Sequence, residues 1–205
     1  MSNNELNSGQ INDLLELIEN KLVASSDGTP SPHLIAPTEL AILITSSYGN
    51  HEMTNYRKQL LQINIEDDLV SGRKLFVASV AWISLSGHGH WVAYVVNPTS
   101  SYIAYGDSLG RPITPTLLVA LRWWLLVIRK RMNLSTNDAV AIRPLLVTPQ
   151  DDSFSCGILL TNAIGHHLLH DAFPLVGRDP ISIKTYHIER TIDILVLDAE
   201  FVRVE

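Results

Sequence analysis

Apolar and polar positions follow two rhythms along this chain. From Ile11 to Val23 the residues Ile11, Leu14, Leu15, Ile18 and Leu22 recur at helical spacing and share one face. The residues before them, Met1 to Gly9, are polar and expected to fray. Asp27-Gly28-Thr29-Pro30-Ser31-Pro32 reads as a loop, because its two prolines block a helix. The compact core is expected to start near Leu34. That makes residues 1–33 a polar N-terminal segment with an amphipathic helix, and residues 34–205 the main domain. Pro37-Thr38 opens a helix through about Ser46, and a second short helix is expected over Asn55 to Ile63.

The rhythm changes at Lys74. Lys74 to Leu85 is rich in β-branched and aromatic residues, including Val77, Val80, Trp82 and Ile83. Ser86-Gly87-His88-Gly89 predicts a turn, Trp91 to Val96 a second strand, Asn97-Pro98 another turn, and Tyr102 to Tyr105 a third strand. Short connections between them predict an antiparallel meander. The apolar run Leu117 to Ile128 ends in Arg129-Lys130-Arg131, cations placed where a helix C-terminus favours them. Ala139 to Val147 predicts a fourth strand, which Pro144 consigns to an edge or a bulge. A helix follows from Cys156 to near Asp171, and Ile188, Ile192, Leu195, Ala199 and Val202 mark a C-terminal helix. Helices, then strands, then helices predict an α+β fold.

Composition narrows the function classes. At 205 residues, 46% hydrophobic and 18% charged, the chain can build one sizeable core. Its net charge of −6 argues against a sequence-independent grip on nucleic acid, which needs a basic face. No apolar run reaches the length of a membrane span, and the N-terminus lacks the apolar stretch of a secretory signal. A single cysteine allows no internal disulfide, which suits an intracellular, reducing setting.

That cysteine carries the chemistry. In Pro149-Gln150-Asp151-Asp152-Ser153-Phe154-Ser155-Cys156-Gly157 a polar turn ends at Cys156 and an apolar run begins, the pattern of a loop feeding a buried helix. A thiol at a helix start meets the partial positive charge of unpaired N–H groups, which favours the thiolate. Nucleophilic thiol catalysis also needs a base, a group to orient it, and donors for an oxyanion. His90, where the Gly87–Gly89 turn meets the second strand, is the candidate base. Asp107, just beyond the third strand, is the candidate orienter. Gln150 and the backbone N–H of Cys156 are the candidate oxyanion donors.

His90-Trp91, then Asp107-Ser108-Leu109, then Gln150 with Cys156-Gly157 six positions on, resembles the ubiquitin-like-protein proteases, the SUMO or sentrin protease family. The resemblance covers about Lys74 to Phe173 and implies an α+β fold of the papain-like cysteine protease superfamily. There a central, largely antiparallel or mixed sheet is flanked by helices, with the catalytic cysteine at a helix N-terminus. It makes residues 34–205 the catalytic domain. It implies Cys156 as nucleophile, His90 as general base and then acid, Asp107 as orienter and Gln150 as oxyanion donor. Trp91 would wall a narrow tunnel for a diglycine tail, and Gly157 would keep the helix start clear of the scissile bond. The implied partner is a ubiquitin-like modifier, SUMO or a related one, with its conjugates. No cofactor, metal, nucleic acid or membrane is expected, and the chain is expected to be a monomer. The family's second, early tryptophan has no counterpart, since none precedes Trp82 here. Ser153 and Ser155 stand where the family usually has Gly and Asp.

Two further functions share these residues: an acyltransferase using the same catalytic set, and a module that binds a modifier without cutting it. Other patterns carry less. Gly106-Asp107-Ser108-Leu109-Gly110 matches a nucleophile elbow, but Pro112 and Pro115 delay the helix an elbow needs. His166 and His170 lie one helical turn apart without a third metal ligand at motif spacing. Arg122-Trp123-Trp124 on an apolar helix of an acidic protein fits core packing better than base stacking.

Overall fold

The computed structural model describes residues 5–26, 31–51, 53, 58–85 and 88–202, without the side chains of 85, 88, 198 and 200–202. Helix α1 (Ser8–Ala24) opens on a reciprocal cap. Asn7 Oδ1 accepts from the Gln10 N–H and Gln10 Oε1 accepts from the Asn7 N–H, each at 3.0 Å. Strand β1 (His33–Ile35), helices α2 (Glu39–Asn50) and α3 (Leu60–Val70), and strands β2 (Phe76–Leu85), β3 (His88–Asn97) and β4 (Tyr102–Gly106) follow. Helix α4 (Pro115–Arg131), strand β5 (Ala141–Pro144) and helices α5 (Cys156–Leu168) and α6 (Pro180–Val202) complete the order.

The five strands form one sheet in the order β1-β2-β3-β4-β5. β2, β3 and β4 make the antiparallel meander, while β1 and β5 add parallel edges, so the sheet is mixed. Strand alternation sends neighbouring residues to opposite faces. Ala78, Val80, Trp91, Ala93 and Val95 pack with α1 and α5 in one core cluster. Val77, Ala81, Val92, Tyr94 and Val96 pack with α2, α3 and α4 in the other. α5 is buried along most of its length between the sheet and α1. Its whole apolar run therefore reads as core without an amphipathic stripe.

The expectation of a core beginning near Leu34 is corrected. Ile11, Leu14, Leu15 and Ile18 share a cluster with Cys156 and its helix, and Leu6, within the stretch expected to fray, is also buried. The amphipathic face of α1 was legible, but a face does not say which core it closes. The second short helix runs from Leu60 to Val70, not from Asn55 to Ile63, and residues 55–57 lie outside the described residues. The turn expected at Ser86–Gly89 lies outside them at residues 86 and 87, and β3 is already under way at His88. β5 is the shorter edge strand that Pro144 foretells. β1 was not anticipated, since three residues beside Pro32 carry no periodicity. The helix from Cys156 ends at Leu168 rather than near Asp171.

Candidate active site

β3 and β4 deliver the first two groups. Ala93 pairs with Gly106, so the chain leaving β4 at Asp107 runs alongside the start of β3, where His90 sits. That strand pairing closes a gap of 17 residues, and His90 Nε2 donates to Asp107 Oδ1 at 2.8 Å. Both side chains are almost wholly out of solvent. The carboxylate is itself held: Oδ1 accepts from the Leu109 N–H at 2.7 Å, and the Tyr105 hydroxyl lies 3.5 Å from Oδ2. Burial and the Asp107 charge push the Tyr105 phenol up, so it remains a neutral donor.

The third group arrives from the far half of the chain. Cys156 is the first residue of α5, 4% exposed, and it lies near enough to the His90 ring to raise its pKa. With Nε2 engaged by Asp107, Nδ1 is the nitrogen left for the sulfur. Burial alone would lower the His90 pKa. The hydrogen bond to Asp107 and its charge, together with the neighbouring Cys156, outweigh it and raise the ring to about 9. The shift favours the imidazolium at neutral pH, a cation beside both the Asp107 carboxylate and the Cys156 side chain.

The loop before Cys156 is shaped by one carboxylate. Asp152 Oδ1 accepts from the N–H groups of Phe154 and Ser155 at 2.9 and 2.8 Å, and Oδ2 accepts from the Ser155 hydroxyl at 2.5 Å. Gln150 is buried and fixed from two sides. Its Oε1 accepts from the Ser108 hydroxyl, its own N–H donates to Ser108 O at 2.9 Å, and Nε2 donates to Asp152 O at 2.8 Å. One Nε2 hydrogen is thus committed, and the fixed plane of the amide sets the direction of the other. Adjacent residues divide the work: Asp107 holds His90 and Ser108 holds Gln150. The sequence reading named neither Ser108 nor Asp152 as organisers. The local signal for Asp152 was an acidic residue two and three positions ahead of the N–H groups it binds, and for Ser108 only its adjacency to Asp107.

Trp91 and Gly157 lie beside this centre in the α1 core. The buried Trp91 indole N–H donates to Leu6 O at 3.0 Å, and its ring meets Trp82 edge-on at 4.8 Å. The two tryptophans, with Leu6, Thr38 and Ile42, line a cavity of about 280 Å³. Trp82 thus supplies a second indole from the paired strand. Its ring occupies the space a Cβ on Gly89 would need, 1.5 Å from Trp82 Cζ2. A Cβ on Gly157 would meet Ile11 Cδ1 at 2.8 Å and Leu6 Cβ at 3.2 Å, so this glycine admits α1 against the start of α5.

The other patterns resolve into structure. His166 Nδ1 donates to Phe173 O and His170 pairs with Asp171, and no group of three metal-ligating side chains occurs among the described residues. Trp124 is fully buried with its N–H on Glu66, and Arg129 is buried on the carbonyls of Pro98 and Ser135. The Gly106–Gly110 segment is the turn that presents Asp107 and Ser108. None of the described helices is long and apolar enough to cross a membrane.

No protein-family model matches the chain, and no curated protein matches it by sequence. Solved structures do match its shape. It is similar to the SUMO protease Ulp1 with its catalytic cysteine oxidised to a sulfinic acid: 14% identity, 97% of this chain and 80% of that one, TM-score 0.64. It is also similar to the Ulp1 protease domain in complex with Smt3, the yeast ortholog of SUMO: 15% identity, 95% and 77% coverage, TM-score 0.60. ChlaDub1 from Chlamydia trachomatis matches at 13% identity, 93% of each chain and a TM-score of 0.51. A mixed five-stranded sheet flanked by helices, with the lone cysteine at a helix start, thus gives this chain the fold of the Ulp1-like cysteine proteases.

Proposed function

We propose that this protein is a cysteine isopeptidase or endopeptidase that cleaves after the C-terminal glycine of a ubiquitin-like modifier, SUMO or a related one. The observation that carries the reading is a buried imidazole hydrogen-bonded to Asp107 and raised in pKa by both that carboxylate and the only cysteine in the chain. The fold likeness supports it, since one matching structure holds a SUMO ortholog in complex. In this reading the Cys156 thiolate attacks the glycine carbonyl carbon, and the oxyanion is met by Gln150 Nε2 and the Cys156 backbone N–H. The His90 imidazolium gives its proton to the leaving amine, breaking the C–N bond and leaving a thioester on Cys156. His90, now neutral, takes a proton from water as that water attacks the thioester, and the modifier leaves with a free carboxylate. A tail of small residues suits the site because only glycine lets a substrate backbone lie so close to the protein.

The test is covalent capture. Propargylamide or glycine-aldehyde probes built on SUMO, ubiquitin and related modifiers are mixed with the wild-type chain and with Cys156→Ala. The expected result is a one-to-one adduct in the intact mass with at least one modifier, absent from Cys156→Ala. A folded wild type that reacts with none of them would refute modifier cleavage.

A further inference from the structure

Helix α6 has two apolar faces, and the body of the protein uses one. Ile183 and Tyr186 are buried and Ile194 packs against the α1–α5 core. Arg190 lies on the same side, its guanidinium over the rings of Phe173 and Tyr186. At roughly 100° per residue these four positions centre on one line along the helix. Ile181, Ile188, Ile192, Leu195 and Ala199 centre on a line about 180° away. All five are exposed, Ile181 by 77% and Leu195 by 62%, and Val196 widens the stripe. The C-terminal helix anticipated from Ile188, Ile192, Leu195, Ala199 and Val202 exists, yet the first four of these face away from the core.

We infer that this stripe pairs with the same stripe of a second copy, the two α6 helices running parallel. The stripe repeats at seven, four, three and four residues, which is the a/d seam of a coiled coil with Thr185 at the remaining a position. A partner of irregular shape asks for no heptad; a second helix does. The seam is diametrically opposite the face that holds the body, so two copies meet along it with both bodies outward. The flanking charges fit one orientation. Exposed Lys184 and Glu189 stand at a g position and the following e position. In a parallel pair, Lys184 of each copy meets Glu189 of the other, and an antiparallel pair loses both matches. The inferred pair departs from the monomer expected from the sequence. A seam of under three heptads buries less than a standard interface, so the dimer is a weak and concentration-dependent one.

The experiment is sedimentation or light scattering of the full chain over a concentration series. Wild type is expected to pass from monomer to dimer, and Ile192→Glu to raise the Kd by at least about tenfold with its helix content by circular dichroism unchanged. Orientation is read from Ile188→Cys and Leu195→Cys, each in a Cys156→Ser chain. Both are expected to form self-disulfides under mild oxidation, because a parallel pair sets like d positions face to face, and an antiparallel pair brings at most one to its twin. The inference is overturned by a wild type still monomeric at about 500 µM. A dimer that Ile192→Glu leaves intact, or self-crosslinking at fewer than both cysteines, overturns it equally.

Discussion

His90 is the residue whose surroundings say most. Its pKa of about 9 stands above the ordinary 6.5, because Asp107 and Cys156 favour the cation by more than burial opposes it. The folded state therefore binds a proton that the unfolded state releases between those two values. The stabilisation, on the order of 2–3 kcal/mol, is fully present below pH 6.5 and is lost as pH rises through about 9. Urea unfolding at pH 6 and pH 9.5 should show that loss in the wild type and a smaller one in Asp107→Asn. The proposed reaction has the same limit, since a neutral ring has no proton for the leaving amine, so kcat/KM should decline above pH about 9. In Cys156→Ala the ring loses one of the groups that raise it, and its NMR titration should move to lower pH. Ser108 acts at one remove. Ser108→Ala frees the Gln150 amide to rotate and should lower kcat about tenfold, with KM little changed, since one oxyanion donor is worth about 10²–10³ when removed outright. A double variant with Gln150→Ala that loses more than Gln150→Ala alone would show that the hydroxyl does more than hold the amide.

At the scale of elements, the packing of α1 on α5 is set by a hydrogen atom. Gly157 leaves room for Leu6 and Ile11, and a larger side chain there must displace one or both. Gly157→Val should cost about 1–3 kcal/mol by thermal unfolding, and Ile11→Val should recover part of that by trimming the group in the way. What the sequence made legible follows from the same elements. Strands β2 to β4 and helices α1 and α4 declare themselves because each has a run of one period, and α5 because an unbroken apolar run follows the polar loop that ends at Cys156. β1 is three residues long and has no period to read. α6 shows the reverse difficulty: its periodicity was plain, but it carries two apolar faces, and the brighter one in sequence is the one turned to solvent. The His90–Asp107 pair was legible because both members sit at strand ends, where register puts them side by side. The Ser108–Gln150 and Asp152 contacts were not, since loop hydrogen bonds depend on a path that no hydrophobic pattern encodes.

At the scale of the molecule, α1 is as much part of the folded body as the sheet is. Ile11, Leu14, Leu15, Leu17, Ile18 and Leu22 are all buried, and Leu6 accepts the Trp91 indole proton through its carbonyl. At about 1.5–3 kcal/mol per fully buried aliphatic side chain, six of them approach or exceed the whole stability of an ordinary domain. A chain lacking residues 1–26 should therefore be insoluble or lack a cooperative melting transition, and a soluble, cooperatively melting fragment 27–205 would show that the rest of the chain closes its core alone.

His90 and Asp107 lie on one side of the exposed stretch near Thr136 and Asn137, and Cys156 lies on the other, a full sheet edge later in the chain. A polypeptide still emerging from the ribosome thus holds the proton carrier long before it holds the sulfur. On the proposed function it can cleave nothing until its last third has docked. Cut between α4 and β5 and expressed as two pieces, each would be inert, and any turnover would measure how often the pieces find one another.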